Sequence, residues 1–332
     1  MVKSCIDVRI AVIMSTYNEE EQWLRASIES ILSQSWDNLR FYILLDNPAN
    51  GAHKRVVEEY AERDDRIVFM VNERNLGLVG SLNKLLSCVE EGFVARMDAD
   101  DVAHPERLAK EMRFMQGCGL DVVGVGSDIL FTDGRKTAGR SFPLLLADEM
   151  RQIEGKANII AHSGWLVRKQ VYDDLGGYRP VAHCEDYDFL LRALQKGFRL
   201  GRLDETLLTV RYNEDGISIP YAFMQDAWAT CLRKAFSKGD PIEEIDAESK
   251  SRELELASVA NREAYGKARK RMDDCASYLY EGAWARCGRG ILGGFLASAA
   301  FRKLLLNAVA ARIGIARICR KVQAQMGASA NP

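Results

Sequence analysis

Phe93-Val94-Ala95-Arg96-Met97-Asp98-Ala99-Asp100-Asp101 decides how this chain is read. The run from Phe93 to Met97 has the length and apolar character of a buried strand. It stops at three carboxylates within four positions, and alternation puts Asp98 and Asp100 on one side of the chain. Like charges that close repel unless a cation or a hydrogen-bonded ligand lies between them. A carboxylate pair at the carboxyl end of a strand therefore points to a divalent metal with a phosphate or diol ligand. The same residues also suit a polar turn, with Asp101 as an N-cap and His104-Pro105-Glu106 opening a helix.

Working outward, strand and helix patterns alternate. Apolar runs at 9–14, 40–45 and 66–71 read as strands, and 19–32, 53–61, 78–88 and 105–115 as helices. This order predicts an α/β fold, a mostly parallel sheet flanked by helices. Ligands of such sheets bind at the carboxyl ends of the strands. Ser15-Thr16-Tyr17-Asn18, Asp46-Asn47 and Asp98-Ala99-Asp100 all fall on that rim. Beyond it, 122–125 reads as a strand, 131–136 as a hairpin around Asp133-Gly134, and 207–212 as a late strand. From Tyr221 the strand signals vanish. Helices are expected over 221–236 and 242–280, then a break at Gly288-Arg289-Gly290, then one or two basic amphipathic helices over 295–321 and a frayed end from Gly327.

A chain of 332 residues suits one large or two modest domains. Its net charge of −2 is unevenly spread: from Gly282 onward there are eight Lys and Arg and no Asp or Glu, leaving −10 for the rest. Eight cysteines form no Cys-x-x-Cys pair, which suits reduced thiols in a cytoplasmic protein. No secretory signal pattern and no uninterrupted membrane-spanning run is present.

The motifs Ala11-Val12-Ile13-Met14-Ser15-Thr16-Tyr17-Asn18, the strand ending at Asp46, Arg74-Asn75-Leu76-Gly77, Ala95-Arg96-Met97-Asp98-Ala99-Asp100-Asp101 and Cys184-Glu185-Asp186-Tyr187-Asp188 occur in the order found in family 2 glycosyltransferases. The chain resembles that family over about residues 9–218. The resemblance implies an inverting enzyme of the GT-A fold, a Rossmann-like mostly parallel sheet, here with a C-terminal all-helical extension. The expected division is a catalytic domain over 1–220, its nucleotide-sugar half about 1–120 and acceptor half about 121–220. A helical region, 221–332, comes next, basic from 282.

The resemblance also implies roles for individual residues. Thr16, Tyr17 and Glu19 look like the nucleotide-edge loop, where an aromatic ring offers a stacking face. Asp46 resembles the acid that binds the base, although Asp46-Asn47-Pro48-Ala49 stands where relatives show Asp-Asp-Gly-Ser. Arg74 and Asn75 look like residues lining the nucleotide. Asp98 is similar to the acid that holds the ribose and approaches the metal, Asp100 to the metal ligand, with Mn2+ or Mg2+ as cofactor. Arg96 and Asp101 are expected to support this rim. Asp186 resembles the catalytic base and Glu185 its supporting neighbour, while Gly176-Gly177-Tyr178 looks like a segment near the acceptor. Arg211 is expected to meet the diphosphate, with Asn213 or Glu214 as a further ligand where relatives place a histidine. His162 and Trp165 are read as structural.

The expected activity is transfer from a nucleotide-sugar donor, a uridine diphosphate sugar, to a glycan or lipid-linked acceptor in surface polysaccharide or glycolipid synthesis. Two rival classes are a sugar-1-phosphate nucleotidyltransferase, which wants a Gly-rich loop where this chain has Ser15-Thr16-Tyr17-Asn18-Glu19, and a non-catalytic nucleotide-sugar-binding scaffold, which has no need of Asp98-x-Asp100 and Glu185-Asp186. No nucleic-acid partner is expected. Phe295, Leu296, Phe301, Leu304, Leu305, Leu306 and Val309, interleaved with Arg302, Lys303 and Arg312, suit an anionic membrane surface at the inner face of the cell membrane, or else a packed helical domain or homodimer interface.

Overall fold

β1 (Ile10–Thr16), β2 (Leu39–Leu45), β3 (Ile67–Val71) and β4 (Phe93–Arg96) pair in parallel in the order β3-β2-β1-β4. Their connections are α1 (Glu21–Leu32), α2 (Gly51–Ala61) and α3 (Gly77–Cys88). These elements belong to a computed structural model that describes residues 8–131, 134–139, 142–212, 221–280 and 284–329. Strand alternation divides the core between the two faces of the sheet. Ile10, Val12 and Met14 pack with α1 and α2, whereas Ala11 and Ile13 pack with Leu82, Leu85 and Leu86 of α3.

The second half adds β5 (Val102–Ala103), α4 (Arg107–Cys118), β6 (Val122–Phe131), β7 (Lys136–Thr137), α5 (Ala147–Glu154), β8 (Trp165–Arg168), α6 (Lys169–Leu175), α7 (Glu185–Gln195) and β9 (Leu200–Tyr212). The sheet continues from β4 through β8, β6 and β9 to β5. β8 lies antiparallel to both β4 and β6, β5 antiparallel to β9, and β6 parallel to β9. Parallel pairing thus dominates the first half and mixed pairing the second. The predicted hairpin is the antiparallel pair β6–β7, although its turn residues Thr132 and Asp133 lie outside the described residues.

β9 begins seven residues before the apolar run that announced it. Asp204, Glu205 and Thr206 are exposed in its middle, where its register against β6 shifts around Gly126. A bulge of this kind lets a strand carry a polar interruption. Beneath the end of β4, α4 is anchored by the wholly buried Arg107, which pairs with Glu111 at 3.3 Å and donates to the carbonyls of Arg96 and Trp165.

After Tyr221 the chain is helical: α8 (Ala222–Lys238), α9 (Ala247–Tyr280), α10 (Trp284–Ala297) and α11 (Ala299–Ser329). Met224, Trp228 and Leu232 of α8 join the same apolar core as α7, and Ile315 and Val322 of α11 reach it too. Gly288-Arg289-Gly290 does not break the pattern; α10 runs through it and ends at Ala297. An interior glycine costs only about 1 kcal/mol relative to alanine, and here glycine permits close packing. A Cβ on Gly290 would come within 2.8 Å of Cys275 Sγ, and one on Gly294 within 2.8 Å of Arg271. α11 also continues past the expected fraying point at Gly327, while residues 330–332 lie outside the described ones. The seven described cysteines are all free thiols. Among the described residues, no helix is long and apolar enough to cross a membrane.

Candidate active site

Asp98, Asp100 and Asp101 converge just past the end of β4, with one carboxylate oxygen of each lying within 4.8 Å of the others. The sequence assigns the metal to Asp98 and Asp100; the structure brings Asp101 into the same cluster. Ser27 Oγ donates to the Asp98 carbonyl at 2.7 Å and fixes the turn against α1. Asp101 is buried, with one carboxylate oxygen accepting the Arg211 amide at 2.9 Å and the other the Ser163 hydroxyl. Burial, reinforced by the neighbouring carboxylates, pushes Asp100 up to about 8. Burial and Asp98 push Asp101 up to about 7, against the hydrogen bonds from Ser163 and Arg211. Three crowded carboxylates make an oxygen donor set that suits a hard divalent cation.

Arg96 sits beneath this cluster, 1 % exposed and paired with Asp98. Burial works against its charge, but Asp98 more than compensates, so its proton is held above the ordinary arginine range. It does not reach solvent along the strand. Arg211, at the far end of β9, donates through Nε to the Asp100 carbonyl at 3.1 Å and lies over the Trp23 ring at 4.8 Å. Asn213 and Glu214 lie outside the described residues.

The side of the rim that the sequence assigns to the nucleotide is built from β1 and β2. Thr16 is wholly buried; its hydroxyl donates to Glu19 at 2.7 Å and lies 2.9 Å from His53 Nδ1. Glu19 also accepts the Tyr17 amide at 2.9 Å, and its charge is felt at Asp100. Thr16 and Glu19 therefore shape the loop, while the Tyr17 ring, 42 % exposed, stands free at its edge. Asp46 is buried at the end of β2, and its Oδ1 accepts from Asn72 Nδ2 at 2.7 Å and the Leu76 amide at 2.8 Å. Asn75 accepts the Gly77 amide at 2.7 Å as α3 begins, and Arg74 is exposed beside it. Asn47 and Asn50, where the family pattern is broken, both donate to the Asn18 side chain.

Glu185 and Asp186 open α7. Asp186 is held from both sides: Asn158 Nδ2 donates to one oxygen at 2.9 Å and the Tyr187 amide to the other at 2.7 Å. Burial raises the proton affinity of Asp186 and pushes Glu185 up to about 7; Arg96 and Asp98 act electrostatically on both. The acid pair and the aspartate cluster are therefore close enough for Asp98 to act on both acids. Asp188 belongs elsewhere: it is wholly buried between Arg179 and Arg192. Arg192 in turn donates to the Leu175 and Gly177 carbonyls. The residue before Cys184, His183, adopts a left-handed conformation with φ 60° and stacks on Tyr221, a strained entry to α7.

Gly177 and Tyr178 lie between α6 and α7, held by Asn83 of α3 and Arg192 of α7. Gly177 has φ 76°, and a Cβ there would meet Asn83 Oδ1 at 2.5 Å. Asn83 clamps the segment by accepting the Tyr178 amide and donating to its carbonyl, both at 2.9 Å. The Tyr178 hydroxyl is buried against His162 Nε2 at 2.8 Å and Tyr172 at 3.2 Å. His162, half-buried and with its proton affinity lowered by burial, packs on the ring of Trp165, which is wholly buried in the core. Sequence reasoning missed His53, Asn72, Asn83, Asn158 and Ser163. Each is a lone polar residue whose partner lies at least 26 positions away or on another element, so no local pattern marks it.

The model of the glycosyl transferase family 2 matches residues 11–176. The putative glycosyltransferase EpsE of Bacillus subtilis is 35% identical over 212 residues, 62% of this chain and 74% of its own length. The amylovoran biosynthesis glycosyltransferase AmsE of Erwinia amylovora is 28% identical over 63% of this chain and 78% of its own. Among solved structures, Staphylococcus aureus TarS 1–349 in complex with UDP-GlcNAc aligns with a TM-score of 0.54 at 18% identity, covering 77% of this chain and 72% of that one. That likeness is one of fold.

Proposed function

This chain belongs to glycosyl transferase family 2 and is a glycosyltransferase, and we propose that it moves a sugar, with inversion, from a uridine diphosphate donor to a hydroxyl of a glycan or lipid-linked acceptor. One observation supports this reading: the Asp98-Asp100-Asp101 cluster lies close enough to Asp186 for Asp98 and the Arg96 beneath it to act on that carboxylate. An acid pair at a helix start and an acid cluster at a strand end are each common alone; together they match a displacement at a sugar diphosphate.

Asp98, Asp100 and Asp101 would hold Mn2+ or Mg2+, which supplies charge neutralisation for the departing diphosphate. Asp186, kept in place by Asn158 and the Tyr187 amide, accepts the proton of the acceptor hydroxyl. The hydroxyl oxygen bonds to the anomeric carbon as the bond to the diphosphate oxygen breaks, and that electron pair leaves with the nucleoside diphosphate. No separate general acid is needed. Arg211, beside the cluster, is the side chain suited to the diphosphate, and Tyr17 and Asp46 to the base. A uridine donor is supported by the UDP-GlcNAc complex of a protein with this fold, and surface polysaccharide synthesis by the amylovoran relative.

Two finer elements complete the reading. The basic helices α10 and α11 are suited to the anionic inner face of a membrane, where a lipid-linked acceptor would be met. The catalytic unit is taken to span residues 1–220, with the later helices as an extension packed onto it.

The test is a thermal-shift screen of nucleoside diphosphates with and without Mn2+. Ligands of the native state raise its melting point by mass action. UDP with Mn2+ is expected to give the largest shift. Equal shifts from all nucleotides, or none that needs metal, would overturn the donor assignment.

A further inference from the structure

Asp186 opens onto a cavity of about 570 Å³ whose wall carries three arginines, Arg202, Arg233 and Arg269. Arg202 comes from β9, Arg233 from α8 and Arg269 from α9, so the helical extension supplies two of the three. Arg202 is only 2 % exposed, and its Nε has no hydrogen-bond partner. Its Nη1 reaches the Leu203 carbonyl at 3.1 Å, and the guanidinium lies over the Phe142 ring at 4.7 Å. A guanidinium taken out of water with an unspent N–H is costly unless an anion completes it.

The nearby acids do not complete it. Glu154 and Asp204 are the carboxylates close enough to act on Arg202 electrostatically. Burial pushes Glu154 up to about 8, which leaves it mostly uncharged at neutral pH. Asp204 is exposed on β9. Arg233 contacts Thr230 in its own helix at 3.3 Å and the Tyr187 hydroxyl of α7, neither of them an anion, and Arg269 is held by Asp273 through Nε at 3.2 Å.

The cavity does not end at the arginines. A second, of about 730 Å³, shares Ala157, Gln225, Ala229, Arg233 and Arg269 with it. It continues past Lys156 and Lys234 to Leu304, Ala308 and Ala311 of α11. The two form one trough from the proposed base to the basic helix.

We propose that this trough binds an acceptor carrying a phosphoryl group, with the reacting hydroxyl at Asp186 and the phosphate or diphosphate on Arg202, Arg233 and Arg269. The proposal rests on Asp186 as the base and deepens that reading by assigning the acceptor's chemical class. Guanidinium groups suit phosphate because their planar donors engage two oxygens at once. The phosphoryl group is a handle and is unchanged by the reaction.

The experiment titrates the full chain, saturated with UDP and Mg2+ so that the donor site is filled, with farnesyl monophosphate, inorganic phosphate and farnesol by calorimetry. The same titrations are run on Arg233→Gln, Arg269→Gln and the double variant, with melting curves as the check on folding. Phosphate-bearing probes are expected to bind the wild type, and the double variant to lose about tenfold or more in affinity while UDP affinity is retained. If the double variant does not fold, each single variant is expected to lose about threefold or more. Farnesyl monophosphate binding more tightly than inorganic phosphate assigns the group to a lipid carrier; equal affinities assign it to a water-soluble phosphorylated glycan. Absence of wild-type binding to both phosphate probes, tighter binding of farnesol than of its phosphate, or unchanged affinity in the variants overturns the proposal. Failure of UDP to bind with Mg2+ is read separately in the same titration and strikes the donor reading.

Discussion

At the scale of single residues, the roles proposed for Asp186 and Asp100 separate chemistry from binding. Asp186→Asn keeps the shape and the Asn158 side of the site but removes the proton acceptor. Transfer is expected to fall by about 10²–10⁴-fold with UDP affinity unchanged; initial rates under saturating donor, beside a UDP titration, measure this. Because burial raises the proton affinity of Asp186, the acid limb of the wild-type rate profile should lie above the ordinary carboxylate range. Asp188 is not an equivalent substitute, since it is locked between Arg179 and Arg192. Glu154 makes an independent prediction. Burial moves it from 4.5 up to about 8, so between those values the folded chain holds a proton that the unfolded chain has released. Its contribution to stability therefore falls as pH rises through that window. Glu154→Gln should match the wild type near pH 5 and exceed it by more than about 1.4 kcal/mol near pH 9, in denaturant melts at the two pH values.

At the scale of elements, the turn between α6 and α7 is the most tightly constrained approach to Glu185 and Asp186. Gly177 sits at φ 76° against Asn83 of α3, and Arg192 of α7 holds its carbonyl. Gly177→Ala is expected to lose about 1–3 kcal/mol of stability through backbone strain and the displaced Asn83 clamp, read from equilibrium unfolding. Unchanged stability would mean that the turn relaxes freely. Elements with a clear period are legible in the sequence. β1 to β4 and α1 to α4 carry runs of apolar residues at strand or helix spacing, and the strand ends place Thr16, Asp46 and Asp98 on one rim. β8, four residues from Trp165 to Arg168, is too short to show alternation and is marked only by its tryptophan. α5 and α6, of eight and seven residues, carry too few turns for a period to stand out. The first half of β9 is hidden by Asp204 and Glu205. In the site, the carboxylates are legible because clustered acids are conspicuous. Their supports, Asn158 for Asp186 and Ser163 for Asp101, come from distant segments that only the folded sheet brings together.

At the scale of the whole molecule, the basic tail has two faces. Ile315, Val322 and Phe301 are buried against the rest of the chain, while Leu292, Leu296, Leu306, Val309 and Ile313 are exposed among arginines. Deleting α11 should therefore lower the melting temperature as well as any membrane affinity. Arg312→Gln/Arg317→Gln/Arg320→Gln changes only exposed positions and separates the two effects. The full chain is expected to sediment with anionic vesicles at low salt and to release as salt rises. The triple variant should bind several-fold more weakly with its melting point retained; a chain that ignores anionic vesicles would make these helices a packing or dimer surface. The central claim joins a divalent cation, a nucleoside diphosphate and the acid cluster at the end of β4. It is tested most directly by calorimetric titration of UDP into wild type and Asp100→Asn, each with and without Mn2+. The account predicts binding to the wild type that depends on Mn2+ and is lost in folded Asp100→Asn. Binding of equal strength without metal, or unchanged metal-dependent binding in Asp100→Asn, would contradict it.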